Sequence, residues 1–353
     1  MSYTKEEENL IVFAGIEELS DRHKCNLAIK CTTDEERKNY TVKNLPHGVY
    51  NIVKDKFGDG TFRSGVLENL DKKGILCVTF LSPLYPENLR HIDDPPVVLY
   101  CKGNASLLKS NCFAVVGSRR TTAPSLALCK KISGELTSAF TVVTGMAEGA
   151  DSAAVEGALP SGKVICVLAN GFDYFYPASN KALIEKVERQ GLLITEYLPH
   201  LLPLKYNFPV RNRIIAGLAR GTLVVSAGEK SGALITADYA LEYGRDVFAF
   251  PYSAGVSSGA GCNALIKNGA YLTENILDIF GAFGLDLGKS AQSENLTEEE
   301  KAVLEEIKIT GEGFLPNIAQ KLNKFTYQLI PVVTSLEIKG LIARLGGNRY
   351  GIV

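Results

Sequence analysis

Two runs near the middle of this chain combine the residue types that hold phosphate: Phe208-Pro209-Val210-Arg211-Asn212-Arg213-Ile214-Ile215-Ala216-Gly217-Leu218 and Lys230-Ser231-Gly232-Ala233-Leu234-Ile235-Thr236-Ala237. In each, basic or small residues precede an apolar helical segment. Unpaired backbone N–H groups and the positive end of a helix dipole would then face an anion, with a cation alongside. A third run, Gly117-Ser118-Arg119-Arg120, follows an apolar β-rich stretch. Gly117 would let the backbone turn tightly, Ser118 would donate, and Arg119 would offer a planar fork to phosphate. Gly145 ends another such stretch ahead of Glu148-Gly149-Ala150-Asp151, where Asp151 reads equally as a helix cap or a ligand contact. Tyr174, Phe175 and Tyr176 follow a further one, placed either to stack on bases or to pack beneath their own loop. The ligand these types describe is phosphorylated.

The elements that must position them alternate. Cys112 to Val116, Phe140 to Thr144, Val164 to Leu168, Leu192 to Thr195, Leu223 to Ser226 and Val247 to Phe250 are short, apolar and β-branched, as strands buried on both faces are. Between them, Leu126 to Leu136, Ala150 to Leu159, Lys181 to Gln190 and Leu234 to Tyr243 carry helical periodicity. This βαβ alternation predicts an α/β fold with a doubly wound, mostly parallel, Rossmann-like sheet. Ligands of such sheets sit beyond the carboxyl ends of the strands, where each of the runs above lies.

Charge points to the same region. From Pro95 to Gly134 there is no acid, while Lys102, Lys109, Arg119, Arg120, Lys130 and Lys131 are all basic; Tyr197 to Gly228 repeats the pattern with Lys205, Arg211, Arg213 and Arg220. Residues 1 to 80 carry 13 acids against 12 bases and residues 291 to 353 carry 8 against 7, so the formal net charge of -1 averages a basic middle with balanced ends. With 353 residues and 46% hydrophobic composition the chain can bury a large core in two or three domains. Apolar runs such as Gly74 to Leu81 are far shorter than the roughly 18 residues of a membrane span, and no basic region precedes an apolar one at the start, so a cytoplasmic protein without membrane association is expected. The eight cysteines form no C-x-x-C pair and read as reduced structural thiols. No metal or cofactor is expected.

Enzyme signatures are missing. Gly288-Lys289-Ser290 resembles the end of a P-loop, but Phe283 stands where its first glycine belongs and no strand precedes it. There is no G-x-G-x-x-G, and the four histidines lie outside the glycine-rich turns. Two alternatives use the same sheet and pocket: a nucleotide hydrolase of the lysine-decarboxylase-like class, whose P-G-G-x-G-T-x-x-E signature is absent, and a regulator sensing a small nucleotide.

Taken in order, Phe80-Leu81-Ser82-Pro83-Leu84-Tyr85-Pro86-Glu87-Asn88-Leu89, Asp94 to Asn104, Val116-Gly117-Ser118-Arg119, Gly145 to Leu159, Tyr176-Pro177, Phe208 to Leu218, Ser231 to Ala237 and Gly244 to Ala249 resemble the DNA-processing protein A family, DprA or Smf, of bacteria. The resemblance covers most of the chain. It implies a non-enzymatic protein that binds and protects single-stranded DNA, loads the recombinase RecA in natural transformation, and dimerises through its sheet domain. Carried over residue by residue, the DNA-contacting set is Gly117, Ser118, Arg119 and Arg120, Gly145, Arg211, Asn212 and Arg213, and Lys230, Ser231 and Gly232, with Lys181 and Lys205 nearby. The sequence departs from the family at Glu148, where Arg is usual, at Val155, where His is usual, and at Ala178, where Lys is common; Ser226 and Tyr252 also differ. The implied organisation is a variable, mostly helical region over 1–73, the sheet domain over 74–284, a linker over 285–295 and a winged-helix-like domain over 296–353. Within the first region, Asn51 to Ser64 reads as a polar loop or hairpin. The charge balance of the last predicts protein contact or regulation rather than duplex binding.

Overall fold

The structure, a computed structural model, describes residues 3–19, 23–24, 26, 34–285, 296–310, 312–338 and 341–352. They form two compact units, residues 1–279 and 280–353. The Gly288-Lys289-Ser290 run and the expected linker from 286 onward lie outside the described residues.

The first unit is built on a nine-stranded sheet of order β1-β2-β6-β5-β4-β3-β7-β8-β9. Its strands are β1 (Leu76–Thr79), β2 (Val98–Gly103), β3 (Cys112–Val116), β4 (Thr141–Thr144), β5 (Val164–Val167), β6 (Leu192–Thr195), β7 (Ala219–Val224), β8 (Asp246–Ala249) and β9 (Tyr271–Leu272). Strands β3 to β9 are mutually parallel, and β2 runs against them, pairing antiparallel with both β1 and β6. The mostly parallel doubly wound sheet expected from the sequence is therefore present, with a mixed edge. Buried strands explain why it was legible: every residue of β3, β4, β5 and β6 is buried, and their runs are apolar or β-branched.

Helices with described bounds ahead of β1 are α1 (Lys5–Ala14), α2 (Asp34–Asn44), α3 (His47–Gly58) and α4 (Gly60–Lys72). Thr4 and Glu7 close α1 with a reciprocal capping box. The expected loop or hairpin over Asn51 to Ser64 is instead the end of α3 and the start of α4. Asp59 divides them by accepting the amide of Thr61 at 2.8 Å, and Phe57 stacks on Phe13 of α1 at 4.3 Å between centroids. A polar surface with glycines on both sides of a cap imitates a turn; the tertiary stack makes it helical. These helices bury Leu10, Ile11 and Leu70 with Cys77, Val98 and Tyr100 of the antiparallel edge.

The short helix α5 (Glu87–Arg90) precedes β2, and then α6 (Ala123–Leu136), α7 (Ala150–Ala158), α8 (Lys181–Gln190), α9 (Asn207–Leu218), α10 (Gly232–Glu242) and α11 (Ala260–Lys267) carry the chain between successive parallel strands. The chain first moves from β3 through β4 and β5 to β6, then crosses back to lay β7 on the other side of β3. Between β3 and β7 the connections therefore lead away in opposite directions and leave a crevice at the carboxyl ends of the strands. The six cysteines among the described residues, Cys77, Cys101, Cys112, Cys129, Cys166 and Cys262, are buried and unbridged, and burial pushes the Cys112 thiol up to about 12. Helix α12 (Ile276–Ala282) follows β9.

In the second unit, α13 (Glu298–Thr310), β10 (Glu312–Phe314), α14 (Leu315–Lys321), α15 (Thr326–Ile338), β11 (Ile342–Gly346) and β12 (Arg349–Ile352) enclose a core of Val303, Ile307, Leu315, Leu329, Val333, Leu336 and Ile342. The sheet order is β10-β12-β11, so the terminal pair β11 and β12 is joined by a third strand. Among the described residues no helix is long and apolar enough to cross a membrane.

Candidate nucleic-acid interface

The crevice between β3 and β7 is an open cleft of about 830 Å3, mouth included. Its walls come from the carboxyl-end loops after β3, β4, β6 and β7 and the helices they enter. Gly117, Ser118 and Arg119 follow β3, Ala147 and Asp151 follow β4, Phe208, Arg211 and Asn212 lie on α9, and Ser231 and Gly232 open α10. A second cleft of about 670 Å3 shares Arg119, Ala147 and Phe208 with the first and continues over Gly145, Met146, Glu148, Phe175 and Tyr176. The two make one trough divided by the Phe208 ring, which has Arg119 5.6 Å from its centroid and Tyr176 5.1 Å away.

Helix α9 begins at Asn207, so the arginines lie in its second turn and not at its start as the sequence pattern predicts. At ~100° per residue, positions 208, 211, 212 and 215 share a face, and 213 points nearly opposite to 211. The cleft side is lined by this set: Phe208, Arg211, Asn212 and Ile215. Arg211 is buried at its floor, donating through Nη1 to the carbonyls of Gly145 (2.6 Å) and Val167, and through Nε to Asn212 Oδ1 at 3.2 Å. Asn212 in turn donates to the Gly232 carbonyl at 3.3 Å, which links α9 to the first turn of α10. Gly145 has no side chain because a Cβ there would stand 2.6 Å from the Arg211 guanidinium.

Arg213 is not part of the cleft, which corrects the expectation of a basic pair flanking Asn212. It is 2% exposed and bonds Asp94 at 2.9 Å and Glu196 at 2.6 Å. Arg120, Lys181, Lys205 and Lys230 line neither cleft but are exposed, and among the described residues none has a carboxylate within 4.0 Å. Lys230 stands beside Ser231 at the mouth, and Lys181 lies 5.0 Å over the Phe175 ring that walls the second cleft.

The loops are stitched together by their own backbone. The Ser118 amide donates to the carbonyl and hydroxyl of Ser226, at 2.9 and 3.1 Å, so only the Ser118 side chain remains for a ligand. Gly149 sits at φ 79°, and a Cβ on it would meet the carbonyl oxygens of Ser118 and Arg119 at 2.6 and 2.5 Å; glycine lets α7 start directly under the Arg119 loop. Ser231 caps α10 by accepting the Ala233 amide at 3.3 Å, leaving its O–H to donate outward. Asp151 is buried in α7 and accepts the Ala147 amide at 3.1 Å; burial pushes its carboxyl above the ordinary range, while the Arg211 charge and these amides oppose that. Asp151 thus braces the floor. Among the described residues no group of three or more His, Cys, Asp or Glu side chains is arranged to hold a metal ion.

Of the residues singled out from the sequence, the structure gathers Gly117, Ser118, Arg119, Arg211, Asn212, Ser231 and Gly232 in the first cleft and Gly145 in the second. Phe208, the partition, was missed as a site residue. Its signal was the spacing of 208, 211, 212 and 215, visible once the helix is started at Asn207.

A model of the family described as DNA recombination-mediator protein A matches residues 76–284. DNA processing protein DprA of Streptococcus pneumoniae (strain ATCC BAA-255 / R6) is 43% identical over 206 residues, which are 58% of this chain and 73% of that protein. The X-ray structure of DNA processing protein A from Streptococcus pneumoniae superposes with a TM-score of 0.62 at 33% identity, over 80% of this chain and 98% of that one. DNA processing protein A from Helicobacter pylori, whose structure addresses its single-stranded DNA binding mode, gives 0.54 at 30% identity, over 59% of this chain and 95% of that one. The matched span holds all nine strands and both clefts, and the chain belongs to the DNA recombination-mediator protein A (DprA/Smf) family.

Proposed function

We propose that the joined clefts hold single-stranded DNA, and that the protein protects incoming strands and passes them to the recombinase RecA in transformation and recombination. The observation that carries this reading is the convergence at the β3/β7 crevice of Arg119, Asn212, Ser231 and the Ser118 hydroxyl around an aromatic ring, with exposed cations nearby that have no acidic partner among the described residues. Such a set grips phosphates and stacks bases; it offers no nucleophile with a base beside it and so makes or breaks no bond. The single-stranded DNA binding mode of the Helicobacter pylori relative supports the same ligand. RecA loading, the cytoplasmic setting and a homodimer belong to the proposal through family membership. So do the division at 73/74, 284/285 and 295/296 and a role in protein contact for the last segment.

Gel shifts of single- and double-stranded oligonucleotides across ionic strength test it. Single strands should bind more tightly, with affinity falling steeply as salt rises. Arg119→Ala should weaken binding about tenfold and lower the salt slope by about 0.7, the value of one phosphate contact to a single strand. Unchanged binding in Arg119→Ala would remove the cleft as the site, and release of free base from a nucleoside monophosphate would favour a hydrolase instead.

A further inference from the structure

The second cleft contains a carboxylate where a phosphate-binding surface has no use for one. Glu148, which is exposed, lines it together with Phe175 and Tyr176. Its Oε1 accepts the Ser179 hydroxyl at 2.6 Å, and Oε2 takes no hydrogen bond from the described residues. The backbone beneath is fixed. Asn180 donates to the Met146 carbonyl at 3.0 Å, Ser152 donates to the Ala147 carbonyl at 2.8 Å, and Met146 is held at φ 61°, a conformation rare for a side chain of its size. Glu148 is therefore a positioned acceptor.

A negative group repels phosphate, so the phosphate chain belongs with Arg119, Asn212 and Ser231 in the first cleft, and the aromatic second cleft across Phe208 is left for a base. Bases differ in what they offer a carboxylate. Cytosine and adenine present an exocyclic amino group and guanine an N–H beside one, whereas the Watson–Crick edge of thymine has a single N–H between two carbonyl oxygens whose lone pairs would face the carboxylate. Resting on the single-strand reading above, we propose that Glu148 is a specificity-determining residue that makes this cleft favour amino-bearing bases over thymine.

Fluorescence anisotropy with labelled 20-residue homopolymers of deoxycytidine and deoxythymidine tests this at pH 8, where cytosine is unprotonated. Homopolymers also differ in stacking and flexibility, so the quantity to read is the C-to-T affinity ratio of the wild type divided by that of Glu148→Gln. The carboxamide can donate to thymine as well as accept from cytosine, and the ratio should fall roughly fivefold on substitution. A ratio unchanged by Glu148→Gln overturns the proposal. Thymidine strands with cytosines interspersed, competed against pure thymidine strands on the wild type alone, give a second reading that needs no variant: equal competition overturns it, preferential capture of the mixed strand supports it. Failure of the wild type to bind any homopolymer would instead defeat the single-strand reading itself.

Discussion

Helix α9 separates two regions that each received an arginine from the same R-N-R run. On one side Arg211 forms the floor of an open cleft, with Phe208 and Asn212 beside it. On the other, Arg213 is enclosed by Asp94 and Glu196, the latter with only 8% of its side chain exposed. Two residues along a helix turn the side chain by ~200°, so identical residues two positions apart meet opposite environments. Charge in the cleft is left available at the rim, at Arg119 and Lys230, whereas charge behind the helix is neutralised within the protein. The difference teaches that a basic motif reports binding only through the face it occupies.

The comparison breaks most visibly at Arg213. Arg213→Ala removes the buried guanidinium that bonds the Glu196 carboxylate, and removing one member of such a pair costs about 3–5 kcal/mol. The urea midpoint of the first unit should drop accordingly, while the folded fraction retains wild-type affinity for single strands. Adding Glu196→Gln to Arg213→Ala should recover part of the loss, because the carboxylate that Arg213 neutralised is then removed as well. A large fall in DNA affinity with unchanged stability would reverse the assignment of the two faces.

Why the sequence disclosed the sheet but misplaced the arginines follows from which forces each depends on. Strands such as Cys112–Val116 and Leu192–Thr195 are buried on both faces, and that demand is written directly into their composition. The start of α9 has no such mark: Tyr206 provides no side-chain cap, and Pro209 inside the first turn disfavours helix at Phe208, so the run looks like a junction two or three residues later. The α3–α4 corner was hidden for a similar reason, since its stabilising stack joins Phe57 to Phe13, far apart in the chain. The cleft residues Gly117 to Arg119 and Ser231 to Gly232 were legible because position after a parallel strand fixes them at the carboxyl edge regardless of helix phase. Glu148 could be recognised as a departure, but its Ser179 anchor is a contact across 31 positions that no local pattern announces.

Arg211 sharpens the comparison with a pH signature. Burial raises the Asp151 carboxyl and lowers Arg211, and each charge partly offsets the shift of the other. In Arg211→Met that support is removed and Asp151 rises further. A carboxyl whose folded pKa lies above its unfolded value, about 4, binds more protons in the folded state, so stability is greatest below the unfolded pKa and is lost as pH climbs through the folded one. The variant should therefore lose about 2–4 kcal/mol at pH 8, recover part of it toward pH 5, and bind single strands about tenfold more weakly. Identical urea midpoints at pH 5 and pH 8, relative to wild type, would detach Asp151 from Arg211.

The smallest effect should come from Lys230, which removes the same unit of charge as Arg213 with the opposite readout. Its ammonium is exposed at the mouth beside the Ser231 cap and has no carboxylate within 4.0 Å among the described residues, so the fold loses nothing by its removal. A screened rim cation steers and weakly holds a phosphate. Lys230→Ala should reduce single-strand affinity by about two- to threefold at physiological salt, with the deficit growing as salt is lowered, because the Debye length lengthens from about 8 Å at 0.15 M to about 30 Å at 0.01 M. Stability should stay within about 0.5 kcal/mol of wild type. A salt-independent deficit would mean that Lys230 acts by shaping the Ser231 turn and not through its charge, and would move it from the rim into the cleft's framework.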